Sequence, residues 1–367
     1  MSLINLANDL KNEETYKFLE PWRFNDRALT LAIPIIRTKY KERKYILIEE
    51  AGSKIIIAET GSIRRIRIIN KSDKPVLVRS GTIFEGKTQP RTSKVSTIIN
   101  PGEKVEIEVF CVDEARPISP KARMRVHERD APFYLLKESG FRSQHAVWDS
   151  IRNLNVALLE LPETHGVEPA RRGERTGIID LGGEEFVPRS PTRFFAMPTI
   201  EYQTDLREVL KEMETKRSDI IEAIKRFPEV KNQVGVIILD ANGVVAMELF
   251  DHPDSWKTIV SKVKRKFADE LTKKGELPLF KPDFEEIKRY LRTFFDKLAS
   301  AKLKLIRKGD NFASYTISFD NYIGQFVELY GEAIYLFLAR IKKETKEKKK
   351  IAIRTFFRGA RAIGGLL

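Results

Sequence analysis

Residues 94–111 read KVSTIINPGEKVEIEVFC, two runs of residues with high strand propensity on either side of Asn-Pro-Gly. In the second run Glu106 and Glu108 alternate with apolar neighbours, so one face of the strand is polar and the other is apolar. Pro101 fixes φ and Gly102 permits a positive φ, which favours a tight turn between the runs. The stretch therefore predicts two short strands that each bury one face.

The same pattern extends on both sides of this stretch. Short segments rich in Ile and Val are separated by Gly, Ser, Asn and Pro, which are turn residues. The predicted strands are Leu29–Ile36, Tyr45–Glu49, Ile55–Glu59, Ile63–Ile69, Val76–Ser80, Lys94–Ile99 and Val105–Cys111. Their spacing of about 8–12 residues is typical of a β-sandwich or a barrel. We assign residues 21–118 to an antiparallel, β-sandwich-like domain.

The rest of the chain has helical periodicity and two hairpin patterns, which makes the predicted fold class α+β. Predicted helices cover residues 1–20, His145–Leu159, Thr204–Phe227, Asp254–Lys274 and Asp283–Leu303. Residues 234–250 form a hairpin around Asn-Gly, and residues 323–340 repeat its pattern weakly, as a second hairpin of the same sheet. Residues 119–200 form an Arg-rich connector, residues 201–339 a mixed α+β domain, and residues 340–367 a basic tail.

Positive charge is concentrated at the end of the chain. The 367 residues carry a net charge of +14, and residues 340–367 supply +8 of it, from ten basic residues and two acids. The ten are Arg340, Lys342, Lys343, Lys346, Lys348, Lys349, Lys350, Arg354, Arg358 and Arg361. Charge concentrated in this way favours a polyanionic partner, either nucleic acid or an anionic membrane, although a solvated lysine tail without a partner gives the same pattern.

Several classes of site are disfavoured by the residue inventory. One cysteine, Cys111, rules out an internal disulfide framework, and the four histidines have no spacing typical of a metal site. No apolar run is long enough to span a membrane, and no nucleophile motif is present. We therefore expect a cytoplasmic protein with no bound metal or cofactor, and no enzymatic activity is indicated.

Residues 81–88, GTIFEGKT, match the phosphate-loop pattern G-x-x-x-x-G-K-[ST] literally. A phosphate loop must open a helix whose N-terminal amides hold the phosphates. Here Gln-Pro-Arg leads into the predicted strand 94–99 instead. We therefore interpret the pattern as a β-turn with two glycines, and we expect no ATP binding at Lys87 or Arg91.

A series of motifs spreads along most of the chain. In order they are Leu77–Gly81, Glu85–Arg91, Thr97–Glu103, Val109–Arg116, Val147–Ile151, Val234–Val236 and Glu248–Asp251. The series resembles a prokaryotic domain family associated with ADP-ribosylglycohydrolases and with rhodanese or phosphatase domains, and it departs from that family at Pro117, which follows Arg116 where Trp is usual. The resemblance implies a mainly β domain that senses or processes an ADP-ribose-like ligand.

The resemblance also implies a set of polar positions: Glu85, Lys87, Gln89, Arg91, Glu114 and Arg116. Lys87, Arg91 and Arg116 would hold an anion by charge-assisted hydrogen bonds, with Gln89 beside them. The alternative interpretation is that these side chains only hold one loop against the β domain.

The leading functional hypothesis is a non-enzymatic RNA- or ribosome-binding factor. Besides the tail, the basic residues Arg123, Arg125, Arg171 and Arg172 lie in the connector, and no aromatic RNA-recognition strand is present, so contacts to the RNA backbone are expected. Size, charge and composition are similar to those of archaeal ribosome dimerisation (hibernation) factors. Ribosomal RNA or the small ribosomal subunit is then the expected partner, with a homodimer as the assembly. The alternatives are a domain linked to ADP-ribose or NAD metabolism, and a peripheral membrane protein.

Overall fold

The computed structural model describes residues 2–113, 119, 121–139, 143–159, 205–275 and 282–341. Its fold class is α+β, as predicted, with antiparallel pairing throughout two of its three sheets. The helices are α1 (Ser2–Lys11), α2 (Phe133–Ser139), α3 (Gln144–Leu159), α4 (Leu206–Lys216), α5 (Ser218–Arg226), α6 (Pro253–Thr272) and α7 (Phe284–Ala299). The predicted helix at residues 145–159 and the one at 254–274 are confirmed as α3 and α6.

Seventeen strands are described. They are β1 (Tyr16–Phe18), β2 (Leu31–Arg37), β3 (Ile46–Leu47), β4 (Ile55–Glu59), β5 (Arg65–Asn70), β6 (Val76–Val78), β7 (Thr82–Gly86), β8 (Arg91–Ser93), β9 (Thr97–Ile99), β10 (Lys104–Cys111), β11 (Arg123–Asp130), β12 (Gln233–Asp240), β13 (Gly243–Phe250), β14 (Lys302–Lys308), β15 (Phe312–Phe319), β16 (Tyr322–Leu329) and β17 (Glu332–Arg340).

The predicted antiparallel β domain is present in part, and it is a closed barrel rather than two stacked open sheets. The predicted strands 55–59, 63–69 and 105–111 correspond to β4, β5 and β10, whereas the barrel strands β7, β8 and β11 were not predicted. The barrel order is β10-β5-β4-β11-β7-β8, and strands β3, β6 and β9 form a small sheet beside it. Ile57, Ile66, Phe84 and Ile107 belong to the barrel core and are buried. Closure removes the exposed edges that two stacked sheets of such short strands would leave.

The phosphate-loop pattern is part of this barrel. Residues 82–86 form β7, which pairs with β8 and β11, and no helix opens after it. A Cβ atom at Gly86 would lie 2.6 Å from the main-chain oxygen of Arg123, so the glycine permits close strand packing. The segment is therefore not a phosphate loop, and its interpretation as a β-turn with two glycines is wrong as well, because residues 82–86 form a strand that pairs on both sides.

Both predicted hairpins belong to one eight-stranded sheet of order β1-β2-β12-β13-β17-β16-β15-β14. Strands β12 and β13 form the first hairpin, β16 and β17 form the second, and β13 pairs with β17 to join them. Gly243 closes the first turn with φ of 106°, a conformation that L side chains rarely adopt. The weak internal repeat therefore corresponds to two adjacent hairpins.

Strand β2 lies in this second sheet, paired with β12, although its sequence position placed it in the N-terminal β domain. Its sequence LAIPIIR is buried along most of its length because helices cover both faces of the sheet. Helices α1 and α7 pack on one face, and α6 packs on the other, where the small sheet of β3, β6 and β9 also contacts it. A continuously apolar strand of this kind carries no alternation that would reveal its sheet.

Three predicted helices end differently from the prediction. The N-terminal helix stops at Lys11, and residues 16–18 form β1 against β2. The predicted helix 204–227 is two helices, α4 and α5, because Arg217 leaves helical geometry with φ −121° and ψ 86°. Helix α7 stops at Ala299, and the following residues form β14.

Candidate functional site

A polar cleft lies beside the barrel, where β7, β11 and α4 meet. Its volume is about 580 Å³, and its lining residues carry four cationic side chains and three carboxylates. They are Glu85, Arg125, Val126, His127, Glu128, Arg129, Arg207, Glu208 and Lys211. A cavity of this size accommodates a small-molecule ligand.

The sequence places α4 at this position through an apolar face. Leu206, Val209 and Leu210 are buried against α3 and against Ile83 of the barrel. Asp205 caps the helix, because its carboxylate accepts a hydrogen bond from the Arg207 main-chain N–H at 3.0 Å. The polar side chains on the other face of α4 then line the cleft.

Glu85 is the carboxylate that links the two walls of the cleft. Its Oε1 accepts a hydrogen bond from Arg125 Nε at 2.9 Å, and its Oε2 accepts one from Arg207 Nη1 at 3.0 Å. Arg207 also contacts Asp205 through charge-assisted hydrogen bonds, which together with Glu85 hold the pKa of Arg207 above its usual value. Arg207 is therefore a fixed positive charge in the wall of the cleft.

His127 and Arg129 supply hydrogen-bond donors to the same cleft. His127 Nδ1 accepts a hydrogen bond from the Arg129 main-chain N–H at 3.0 Å, so Nε2 carries the proton of the neutral ring. Burial lowers the pKa of His127, although nearby Glu85 acts in the opposite direction. Arg129 Nη2 donates to Glu214 at 2.8 Å, whereas its Nη1 is buried without a hydrogen-bond partner in the described part of the chain.

The predicted anion-binding residues are only partly brought together. Arg91 is fully buried and donates to the side-chain oxygen of Gln89 at 2.7 Å, while its Nη2 lies 3.4 Å from Glu59. Gln89 in turn donates to the main-chain oxygen of Asp113. Lys87 is exposed and does not join this network. The Gln89–Arg91 contacts hold the loop between β7 and β8 in place, which favours the structural interpretation of those two residues.

Three of the predicted RNA contacts are described. Arg123 is exposed on β11, and Arg125, on the same strand, is exposed and lines the cleft. Arg340 ends β17 and forms an ion pair with Asp240, so it belongs to the folded sheet. The other predicted residues lie outside the described residues: Arg116, Arg171, Arg172, Lys342, Lys343, Lys346, Lys348, Lys349, Lys350, Arg354, Arg358 and Arg361.

Sequence reasoning missed His127, Arg129 and Arg207 as members of one cleft. Strand β11 reads RMRVHERD, in which charges occupy both faces, so it was assigned to the irregular connector. Only Met124 and Val126 mark its apolar alternation. The available signal was the local density of Arg and His around residue 127, but no sequence pattern links it to α4, about 80 residues later.

A second group of charges is sealed between the barrel, α6 and the eight-stranded sheet. Arg79 is fully buried, and its guanidinium lies 2.6 Å from Asp130, 2.7 Å from Glu49 and 3.2 Å from Glu248. Two lysines of α6 complete the group: Lys262 lies 3.1 Å from Glu49, and Lys266 lies 2.9 Å from Glu248. Together these six residues, with Tyr335 donating to Glu248, are termed the Arg79 cluster below.

Charges in the Arg79 cluster compensate one another. Burial alone would raise the pKa of Asp130, but Arg79 and the two lysines hold it far below its usual value. The pKa of Arg79 is raised by the three carboxylates despite the opposing effect of burial. The side chains of Arg79, Asp130, Glu248 and Lys266 have no exposed surface, so the cluster fastens three parts of the fold together and offers no opening to a ligand.

The fold and the cleft together define an α+β protein with a ligand-sized polar cleft beside a closed barrel. The sequence profile of the ARG and Rhodanese-Phosphatase-superfamily-associated Protein domain, ARPP-1, matches residues 15–339. The chain therefore belongs to the ARPP-1 family, as the sequence motifs indicated. No curated protein and no solved structure matches it.

Two further features of the described residues bear on the type of site. None of the described helices is long and apolar enough to cross a membrane. Across the same residues no group of three or more His, Cys, Asp or Glu side chains is arranged to hold a metal ion.

Proposed function

We propose that this ARPP-1 protein binds a small phosphorylated ligand in the cleft between β7, β11 and α4. The observation that carries the proposal is the donor set: Arg129, the Nε2–H of His127 and the exposed ammonium of Lys211 line one cavity, and Arg129 Nη1 has no hydrogen-bond partner among the described residues. Phosphate oxygens accept several such hydrogen bonds at once, and they do so most strongly from charged donors.

Charge and size favour the same class of ligand. The lining cations outnumber the lining carboxylates by four to three. Glu208 pairs with Lys211, Glu214 pairs with Arg129, and Glu85 accepts hydrogen bonds from Arg125 and Arg207. A phosphate entering the cleft would replace Glu85 as their acceptor. The volume of about 580 Å³ accommodates a nucleotide-sized molecule rather than phosphate alone. The family's association with ADP-ribosylglycohydrolases makes ADP-ribose the first ligand to examine.

The test is calorimetric titration of ADP-ribose, ADP and pyrophosphate into the wild-type protein and into the double variant Arg125→Ala/Lys211→Ala. Both side chains are exposed, so the variant should fold normally. We expect binding of at least one of the three compounds, with affinity reduced at least about tenfold in the variant. Arg123→Ala is the matched control, because Arg123 is an exposed arginine two residues away on β11 and does not line the cleft. Absence of binding, or equal affinity in the double variant, contradicts the proposal.

A second candidate function is RNA or ribosome binding, which the charge distribution favours. Residues 340–367 supply +8 of the net charge of +14. Arg340 belongs to β17 and pairs with Asp240, so nine basic residues beyond it remain for a polyanion. On this hypothesis the protein blocks translation by joining or occupying small ribosomal subunits, with the tail contacting ribosomal RNA.

This candidate is tested by a truncation that leaves β17 intact. The variant ending at Ile341 keeps the Arg340–Asp240 ion pair, and its affinity for purified small subunits is compared with that of the full chain over a range of salt concentrations. If about half of the nine cations contact phosphates, the slope of log affinity against log salt should become shallower by about 3–4. An unchanged slope rejects the tail as an RNA contact. Binding to anionic liposomes without RNA binding supports the membrane alternative instead.

A further inference from the structure

The eight-stranded sheet ends in an exposed strand with an unusual composition. Strand β14 pairs with β15 on one side, and no other described strand pairs with its second side. Its sequence KLKLIRK contains four basic residues and no acid. An open edge presents main-chain N–H and C=O groups to solvent, and such an edge accepts an additional strand.

One face of β14 continues an apolar layer of the protein. Leu303 lies opposite Ile317 and Leu305 lies opposite Tyr315, and both of these β15 residues belong to the core that α1 and α7 cover. The two leucines are 38% and 51% exposed, because the helices do not extend over them. An incoming strand with apolar side chains on this face would bury them.

The other face of β14 is cationic. Lys302 and Lys304 lie opposite Ser318 and Thr316 and are exposed. A β-bulge between Leu305 and Arg307 places the exposed Lys308 opposite Ala313, on the face of the two leucines. Arg307 turns instead toward the barrel, where it forms an ion pair with Glu103, so it is not available to a partner. Within the described residues the three lysines have no ion-pair partner.

The charges indicate which partner fits the edge. Pairing β14 with β14 of a second copy would bring two strands without any acid together, and like charges across a strand pair destabilise it. A partner strand that alternates acidic with apolar residues would satisfy both faces at once. RNA would contact the lysines, but it would leave the two leucines exposed to solvent and the main-chain N–H and C=O groups at the open edge of β14 without strand partners.

We propose that β14 is a docking site for an acidic, extended segment of a partner protein, which adds a ninth strand to the sheet. Seven residues of strand span about 24 Å, so the recognised segment is a short linear motif. This site is separate from the cleft and does not depend on its function.

The experiment uses two fluorescent seven-residue peptides, one alternating Glu with Val and one alternating Lys with Val. Anisotropy at low salt should show binding of the acidic peptide only, and hydrogen exchange should show slower exchange of the β14 amides in the complex. The triple variant Lys302→Glu/Lys304→Glu/Lys308→Glu should weaken binding at least about tenfold. The matched control is Lys17→Glu, an exposed lysine of β1 at the opposite edge of the same sheet, which should bind normally.

A second variant separates a peptide site from a polyanion site. Leu305→Thr keeps every charge of β14 and removes an apolar contact. It should therefore weaken binding of the acidic peptide and leave binding of single-stranded RNA unchanged. Lack of acidic-peptide binding at millimolar concentration overturns the proposal. The proposal is equally overturned if the peptide binds without protecting the β14 amides, or if the Leu305→Thr variant binds it as tightly as the wild type does.

Discussion

The Arg79 cluster and the cleft are built from the same kinds of side chain, but solvent reaches only one of them. Arg79 has no exposed surface and contacts three carboxylates, whereas Arg125 of the cleft is 82% exposed and shares Glu85 with Arg207. Breaking a sealed pair leaves a charge that water cannot reach, while breaking an open pair leaves one that water or a ligand can solvate. The buried ion pairs of the Arg79 cluster fasten the fold, whereas Arg125 of the cleft stays open to solvent.

The largest effect is expected from removing the central cation of the cluster. Arg79→Met leaves Glu49, Asp130 and Glu248 with two lysines, so one carboxylate lacks a counter-charge in a sealed site. We expect the free energy of unfolding to fall by about 3–5 kcal/mol, measured by urea denaturation. The exposed Arg123→Ala variant should change it by less than about 0.5 kcal/mol. A loss below about 1 kcal/mol for Arg79→Met would show that solvent reaches the cluster.

A smaller effect, with a defined pH dependence, is expected at Asp251, a mostly buried carboxylate that accepts a hydrogen bond from Tyr45 Oη at 2.6 Å. Burial raises its pKa from 3.8 to about 6, although Tyr45 and Arg37 act in the opposite direction. The folded protein then holds a proton more tightly than the unfolded chain, so stability decreases as pH rises from about 4 to about 6.

Asp251→Asn removes this titration. Relative to the wild type, the variant should gain about 3 kcal/mol of stability as pH rises through this interval, because the pKa differs by about two units between the folded and unfolded states. The gain should stay constant above this interval. Urea denaturation at half-unit pH steps provides the measurement. A gain that appears only below pH 4, or a difference that does not change with pH, would contradict the raised pKa.

The smallest effect on stability is expected in the cleft. There the same substitution should destabilise the protein slightly and strengthen binding of the phosphorylated ligand. Glu85→Gln removes a carboxylate that competes with an anionic ligand for Arg125 and Arg207. Because the side chains of Glu85 and Arg207 are only 14% and 13% exposed, we expect the free energy of unfolding to fall by about 1–2 kcal/mol. Affinity for the phosphorylated ligand should rise about three- to tenfold. The matched substitution in the sealed cluster, Glu248→Gln, should be clearly destabilising and should leave affinity unchanged. Weaker binding by Glu85→Gln would mean that Glu85 holds the ligand rather than competing with it.

The elements with a local pattern were predictable from the sequence. The hairpin at Asn242-Gly243 and helix α6 carry their own turn and periodicity signals, and the barrel strands β5 and β10 alternate polar with apolar residues. Of the polar positions that the family motifs implied, Glu85 lines the cleft, whereas Lys87, Gln89 and Arg91 do not.

What the sequence did not reveal depends on contacts between distant segments. Strand β2 pairs with β12 about 200 residues away. Because most of β2 is buried on both faces, its sequence does not alternate and does not indicate to which sheet it belongs. Arg79 carries no signal that distinguishes a cluster centre from a surface arginine, because its three carboxylate partners come from three separate segments. The cleft was missed for the same reason, since β11 and α4 meet only through tertiary packing.

The central claim, that the cleft binds a phosphorylated ligand, is tested most directly through His127. The protein is labelled with ¹⁵N-histidine, and the resonances of its four histidines are followed by NMR as ADP-ribose is added at pH 7. Because His127 Nε2–H lines the cleft and the ring is neutral, its resonances should shift to saturation, with the ring still protonated at Nε2, while His252 at the start of α6 stays unchanged. Binding that shifts His252 or leaves His127 unmoved would contradict the account.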